Sequence, residues 1–357
     1  MAVLALVVVA CAPGAGASAG GSAGSSPSVP SATPSAATTS PATATPVPAT
    51  AAVRLALDWT PNTNHTGFYV AQRNGWYADE AIDLRFLPYA STSPETLVSA
   101  GGAECGISTQ EGATFAIAAG AKERSVMAIL QHTATEIATR DDGSVTRPRD
   151  LDGKLYAGFG LPQEVPELQA VIKADGGKGD FRTATLDTAA YEALYSGKAD
   201  FTITYSAWEA LEAAERGIKL RTFAFTDYGL PDSYAVILVC NDDWLAAHPD
   251  VARRFLAATV RGFELAASDP AAASALLIAA NPGVFDANPK LPTDSATYLA
   301  EHELYLDADG RVGRQAAGQW AGFSGFLYDT GLLAGPDGKP LTAKPDFGTY
   351  FTNDYLP

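Results

Sequence analysis

Between residues 58 and 69 the chain crowds Asp58, Trp59, Asn62, Asn64, His65 and Tyr69. A carboxylate, two amides, an imidazole and two aromatic rings in twelve residues suit recognition, since they offer flat faces and hydrogen bonds of both senses. Covalent catalysis lacks its usual partners. No Gly-x-Ser-x-Gly elbow stands out at a strand-to-helix turn, and no pair of catalytic carboxylates announces itself. The four histidines, His65, His132, His248 and His302, are isolated, and no metal-ligand spacing occurs. Binding, with no metal and no cofactor, is the expectation.

The elements around this cluster must present it. Val53 to Leu57 alternates as a strand, Pro61 breaks it, and an apolar run from Tyr69 reads as helix. The cluster therefore follows the carboxyl end of a strand, the place where α/β proteins hold ligands. Further strands are expected at 82–87, 105–107, 126–131, 155–158, 181–184, 199–205, 220–225 and 235–240, with helices between them. Short strands alternating with helices predict largely parallel sheets with helices on both faces. After Asn241, Val251, Phe255, Thr259 and Phe263 recur at helical spacing. A strand-rich start, an inserted α/β unit and a helical tail predict two α/β lobes joined by two crossing strands. Residues 53–138 and 236–357 would form one lobe and 139–235 the other.

Composition narrows the partner. Residues 1–52 carry no charged side chain, so the formal charge of −16 resides in the rest. Such an acidic surface repels phosphate backbones and anionic headgroups, which disfavours nucleic acid and electrostatic membrane binding. The apolar run Ala2–Ala10 is too short to span a bilayer and ends at Cys11. It reads as the end of an export signal, with Val8-Val9-Ala10-Cys11 similar to a lipobox whose cysteine is lipidated. No Lys or Arg precedes the run, so translation is expected to begin upstream of Met1; cleavage without lipid is the alternative. Residues 12–52, rich in Ala, Ser, Thr, Pro and Gly, are expected to be a disordered tether. Cys105 and Cys240 are expected to be buried free thiols, with a disulfide as the alternative in an oxidising compartment.

The fragments Asp58–Gly67, Gly75-Trp76-Tyr77, Tyr156–Gly160 and Tyr205–Glu209 resemble the family of thiamine-pyrimidine-binding and riboflavin-binding proteins of ABC importers, over about residues 53–270. The resemblance implies an α/β, type II periplasmic-binding-protein fold that clamps a ligand between its lobes. It also implies a monomer outside the cell, held at the membrane by lipid on Cys11, that delivers a small vitamin to ABC permease subunits and their ATPase. Trp59, Tyr69, Phe159, Tyr205 and Trp208 would then supply faces to a flat heterocycle. Asp58, Asn62, Asn64, Glu164 and Glu209 would pair with its nitrogens, His65 would hydrogen-bond, and Gln110-Glu111 would open a helix onto the cleft.

Several of these residues have a packing role open to them as well. Trp59 and Tyr69 could be core, Asp58 could cap the following turn, and Glu164 could stabilise its own helix. A rival of another class is the family's enzyme, which makes the thiamine pyrimidine from its own histidine and pyridoxal phosphate. His65 occupies what looks like that histidine's position. Pro61 stands where the enzyme has a lysine, and its cysteine-rich motif is absent, so a binding protein is expected. Phe159 and Leu161 make an apolar wall, which ranks riboflavin ahead of the thiamine pyrimidine precursor.

Overall fold

The computed structural model describes residues 49–357. The expected export segment 1–11, Cys11 and residues 12–48 of the expected tether lie outside the described residues. Chain order of the strands is β1 (Ala51–Ala56), β2 (Ile82–Leu87), β3 (Cys105–Ser108), β4 (Glu123–Leu130), β5 (Thr135–Arg140), β6 (Leu155–Gly158), β7 (Arg182–Thr185), β8 (Phe201–Tyr205), β9 (Leu220–Ala224) and β10 (Val236–Asn241). They form two five-stranded sheets, ordered β2-β1-β3-β10-β4 and β7-β6-β8-β5-β9.

Each sheet has four strands running one way and a fifth running against them. In the first sheet β10 is antiparallel to both β3 and β4. In the second, β5 is antiparallel to both β8 and β9. Connectivity explains the reversals. β4 leaves the first lobe at its carboxyl end, so β5 must start at the gap between lobes and run away from it. β10 re-enters from the same gap. The carboxyl ends of the remaining strands in both sheets consequently face each other across one cleft.

Two expectations shift. β1 begins at Ala51, inside the stretch assigned to the tether. The expected lobe boundary at 138/139 falls within β5, and the first crossing is instead the segment 131–134 ahead of it. The sheets are otherwise largely parallel as expected, each with one crossing strand inserted against the others.

The two crossings are tied to each other. Asp232 on the returning segment accepts the Thr133 amide at 2.9 Å on Oδ1, and its Oδ2 lies 2.6 Å from His132 Nδ1. The hydrogen bond to Asp232 pushes the His132 imidazole up from its usual range. Stability from this pair is present in full below the ordinary histidine range near 6.5 and is lost as pH rises through the elevated value. Both side chains are well exposed, so the pair is worth a few tenths of a kcal/mol. Asp232→Asn should bring the His132 titration midpoint down toward the ordinary value by NMR; an unmoved midpoint would rule out the pairing in solution.

Helices of the tail close the first lobe. The helix Thr66–Arg73 packs along Pro249–Ser268, with Phe68 edge-on to Phe263 at 5.2 Å between ring centres. Tyr77 Oη meets Thr259 Oγ1 at 2.8 Å in the same interior. Gly67 and Gly262 let the two helices approach until backbone meets side chain. A methyl group on Gly262 would collide with the Gly67 carbonyl, and one on Gly67 with the Phe263 ring.

Cys105 and Cys240 form a disulfide, against the expected free thiols. They stand directly opposite each other on β3 and β10. Sheet order, invisible in sequence, brings together residues separated by 135 positions. Among the described residues no helix is long and apolar enough to cross a membrane.

Candidate functional site

The cleft encloses about 410 Å³, and a recess of about 200 Å³ adjoins it. Its walls are the loops that leave the facing strand ends. Asp58 and Trp59 come from the loop after β1, Thr109 and Glu111 from that after β3, and Phe159, Leu161 and Glu164 from that after β6. Tyr205 and Glu209 follow β8, while Thr133, Thr135, Ser233 and Ala235 belong to the crossings.

The loop after β1 is built by internal hydrogen bonds. Asn62 Oδ1 accepts the Asn64 amide at 2.9 Å, starting the turn Thr63–His65. The Asn62 amide donates to His65 Nδ1 at 3.3 Å, which leaves Nε2 to donate to Asp58 Oδ1 at 2.7 Å. Thr63 is pinned from the far side, its Oγ1 2.6 Å from Ser295 Oγ. The histidine thus orients Asp58 while the carboxylate lines the cleft, and Trp59 leans on Tyr89 at 5.0 Å between ring centres.

In the second lobe the loop after β6 is shaped by a carboxylate. Glu164 accepts the amides of Phe159 and Gly160 at 3.0 and 2.9 Å. Gly160 holds φ at +81°, a backbone state in which a side chain is strained. Phe159 is thereby fixed against Tyr191 at 6.0 Å. Glu209 accepts the Tyr205 amide at 3.2 Å in the equivalent place after β8.

Ten of the thirteen expected binding residues line the cleft or its recess. Asp58, Trp59, Glu111, Phe159, Glu164, Tyr205 and Glu209 line the main space, and Asn62, Asn64 and Trp208 the recess. Three do not. His65 is fully buried beneath Asp58. Tyr69 stacks on Phe86 at 4.3 Å and belongs to a small core with Leu277 and Phe285. Gln110 is fully buried, accepting the Tyr234 amide on Oε1 at 3.0 Å and donating to the Gln319 carbonyl at 3.2 Å. Its neighbour Glu111 takes the cleft position.

Glu167 and Tyr191 are cleft residues that sequence reading passed over. Glu164-x-x-Glu167 was the available signal, since a spacing of three places both carboxyls on one helix face. The acids share an unusual environment. Burial pushes Glu111 up to about 7, with repulsion from Glu95 adding to it, and burial likewise pushes Glu209 up to about 7. Burial raises Glu167 well above the carboxylate range, with repulsion from Glu111 and Glu164 in the same direction. Among the described residues no Lys, Arg or His side chain lines either space. Among the described residues no group of three or more metal-ligating side chains comes together.

Two α/β lobes, two crossings and a cleft at the facing strand ends are the type II periplasmic-binding-protein fold. Solved structures agree: the alkanesulfonate-binding protein SsuA of Xanthomonas axonopodis pv. citri superposes with a TM-score of 0.60 at 15% identity, over 81% of this chain and 96% of that one. The chain belongs to the NMT1/THI5 like family, whose model matches residues 62–273. It is 27% identical to the formylaminopyrimidine-binding protein of Halalkalibacterium halodurans over 274 residues, 75% of this chain and 82% of the relative. The 4-amino-5-hydroxymethyl-2-methylpyrimidine phosphate synthase THI12 of Saccharomyces cerevisiae is 24% identical over 323 residues, 85% and 87% of the two chains. The riboflavin-binding protein RibY of Chloroflexus aurantiacus is 22% identical over 324 residues, 85% and 86%.

Proposed function

We propose that this protein is the substrate-binding component of an ABC importer and that it captures a 4-aminopyrimidine precursor of thiamine for delivery to the permease. One observation carries the reading: Asp58, Glu111, Glu164, Glu167 and Glu209 line the cleft together with aromatic faces and, among the described residues, without a cationic side chain. An exocyclic amine and its neighbouring groups offer donors to such a lining, whereas isoalloxazine offers chiefly acceptors. The sulfonate that its structural relatives bind would meet only like charge here.

Riboflavin is the second reading. The cleft's volume and its apolar wall of Leu161, Phe225, Leu230 and Phe323 favour it. Tryptophan fluorescence separates the two, because Trp59 and Trp208 line the cavities. Saturable quenching is expected with 4-amino-5-hydroxymethyl-2-methylpyrimidine or its formylamino analogue; quenching by riboflavin alone would reverse the choice.

Binding rather than synthesis is supported by His65, which is buried and held at both ring nitrogens. An extracytoplasmic location, with a lipid on Cys11 as anchor, completes the proposal. The Cys105–Cys240 bond suits an oxidising compartment. Domain limits at the two crossings and action as a monomer belong to the same reading.

A further inference from the structure

Charge is distributed across the cleft in a way that binding an aminopyrimidine does not by itself require. Glu111 stands at the start of a first-lobe helix, and Glu164 and Glu167 at the start of a second-lobe helix; all line one cavity. Asp58 and Glu209 complete the set, and the hydroxyls of Tyr191 and Tyr205 are the other ionisable groups there. These acids are not equivalent. Glu164 spends both oxygens on backbone amides, Asp58 is engaged by His65, and Glu209 by the Tyr205 amide. Glu167 is only 6% exposed and lines the cavity, with no ion-pair partner among the described residues. On the same wall Thr204 is 2% exposed, and its Oγ1 and the Tyr205 hydroxyl are buried without a hydrogen-bond partner. Buried polar atoms left without partners cost about 1–3 kcal/mol each, so this wall is shaped for something that supplies hydrogen bonds.

Resting on the reading of an aminopyrimidine binder, we propose that the cleft holds its ligand as a cation and that Glu167 is the specificity-determining residue, taking the positive charge between the second lobe and Glu111 on the first. The step balances within the cleft. Burial, with repulsion from the facing Glu111 and Glu164, pushes Glu167 toward its protonated form. When a neutral 4-aminopyrimidine enters, the carboxyl O–H bond breaks and an N–H bond forms at a ring nitrogen, leaving an ion pair with no net proton exchange. When the ring arrives already protonated, Glu167 gives its proton to solvent. Ligand charge thereby lets Glu167 ionise against a cation held between the lobes, so closure and charge recognition become one event. A neutral flat ring of the same size that cannot take the proton leaves Glu167 uncharged, forms no ion pair and binds more weakly.

The test uses 4-amino-5-hydroxymethyl-2-methylpyrimidine with its ring nitrogens 15N-labelled, bound to the unaltered protein and to Glu167→Gln. The bound ring should give the 15N shift of the protonated form at pH 8, and affinity should peak between the ring's own pKa and that of Glu167. Glu167→Gln should weaken binding at least tenfold and return the bound ring to its neutral shift, while its thermal unfolding midpoint stays at or above that of the parent. A neutral shift in the unaltered protein, or affinity within twofold in Glu167→Gln, would overturn the inference and leave the aminopyrimidine reading standing. Binding of riboflavin and of no pyrimidine would overturn both.

Discussion

Gly262→Ala should lower the free energy of unfolding by about 3 kcal/mol, at the upper end of what overpacking costs. The added methyl meets the carbonyl of Gly67, which is backbone and cannot rotate aside. Relief requires the helix Thr66–Arg73 to shift away from Pro249–Ser268, and that helix begins directly after the turn Thr63–His65. The displacement therefore reaches Asp58 through His65, and ligand affinity should fall alongside stability. Urea unfolding followed by circular dichroism measures the first effect and fluorescence titration the second. A loss under 0.5 kcal/mol would mean that the helices slide past one another more easily than this contact allows.

Removal of the disulfide, by reductant under denaturing cycling or by Cys105→Ala with Cys240→Ala, should cost about 2–5 kcal/mol. Its ends are 135 residues apart, and for a loop of that length the chain-entropy relation gives about 5 kcal/mol. Because both cysteines are buried in the first lobe's sheet, the folded state should keep its ligand affinity while its unfolding midpoint drops. A midpoint within the error of the parent would show that the denatured chain is already constrained without the bond.

Much of the architecture was legible because its markers are local. Pro61 and Asn62 punctuate the loop after β1, and the apolar runs at Ile82, Cys105 and Val236 are short and bounded. β5 escaped notice because nothing in His132-Thr133-Ala134 separates it from β4: neither Gly nor Pro marks the crossing. The candidate site was legible where a polar or aromatic residue follows a strand end, as with Asp58, Trp59, Phe159 and Glu209. That rule fails where a distant partner satisfies the residue first. Gln110 looks free in sequence, yet Tyr234 and Gln319 take both ends of its amide. Tyr69 lies one helical turn beyond the loop and turns to Phe86. Tyr191 and Glu167 sit within helices, where the face that points to a ligand depends on packing between elements far apart in the chain.

The direction of β1 also sets how the molecule can be held. Its first residue, Ala51, donates its amide to Ala81, and its last, Ala56, stands two residues before Asp58. Five rises of strand place these ends about 17 Å apart. A chain entering at Ala51 comes in at the base of the first lobe, on the side away from the cleft. A support or fluorophore joined ahead of Ala51 would therefore leave the mouth of the cleft facing solution, a favourable geometry for an immobilised ligand sensor.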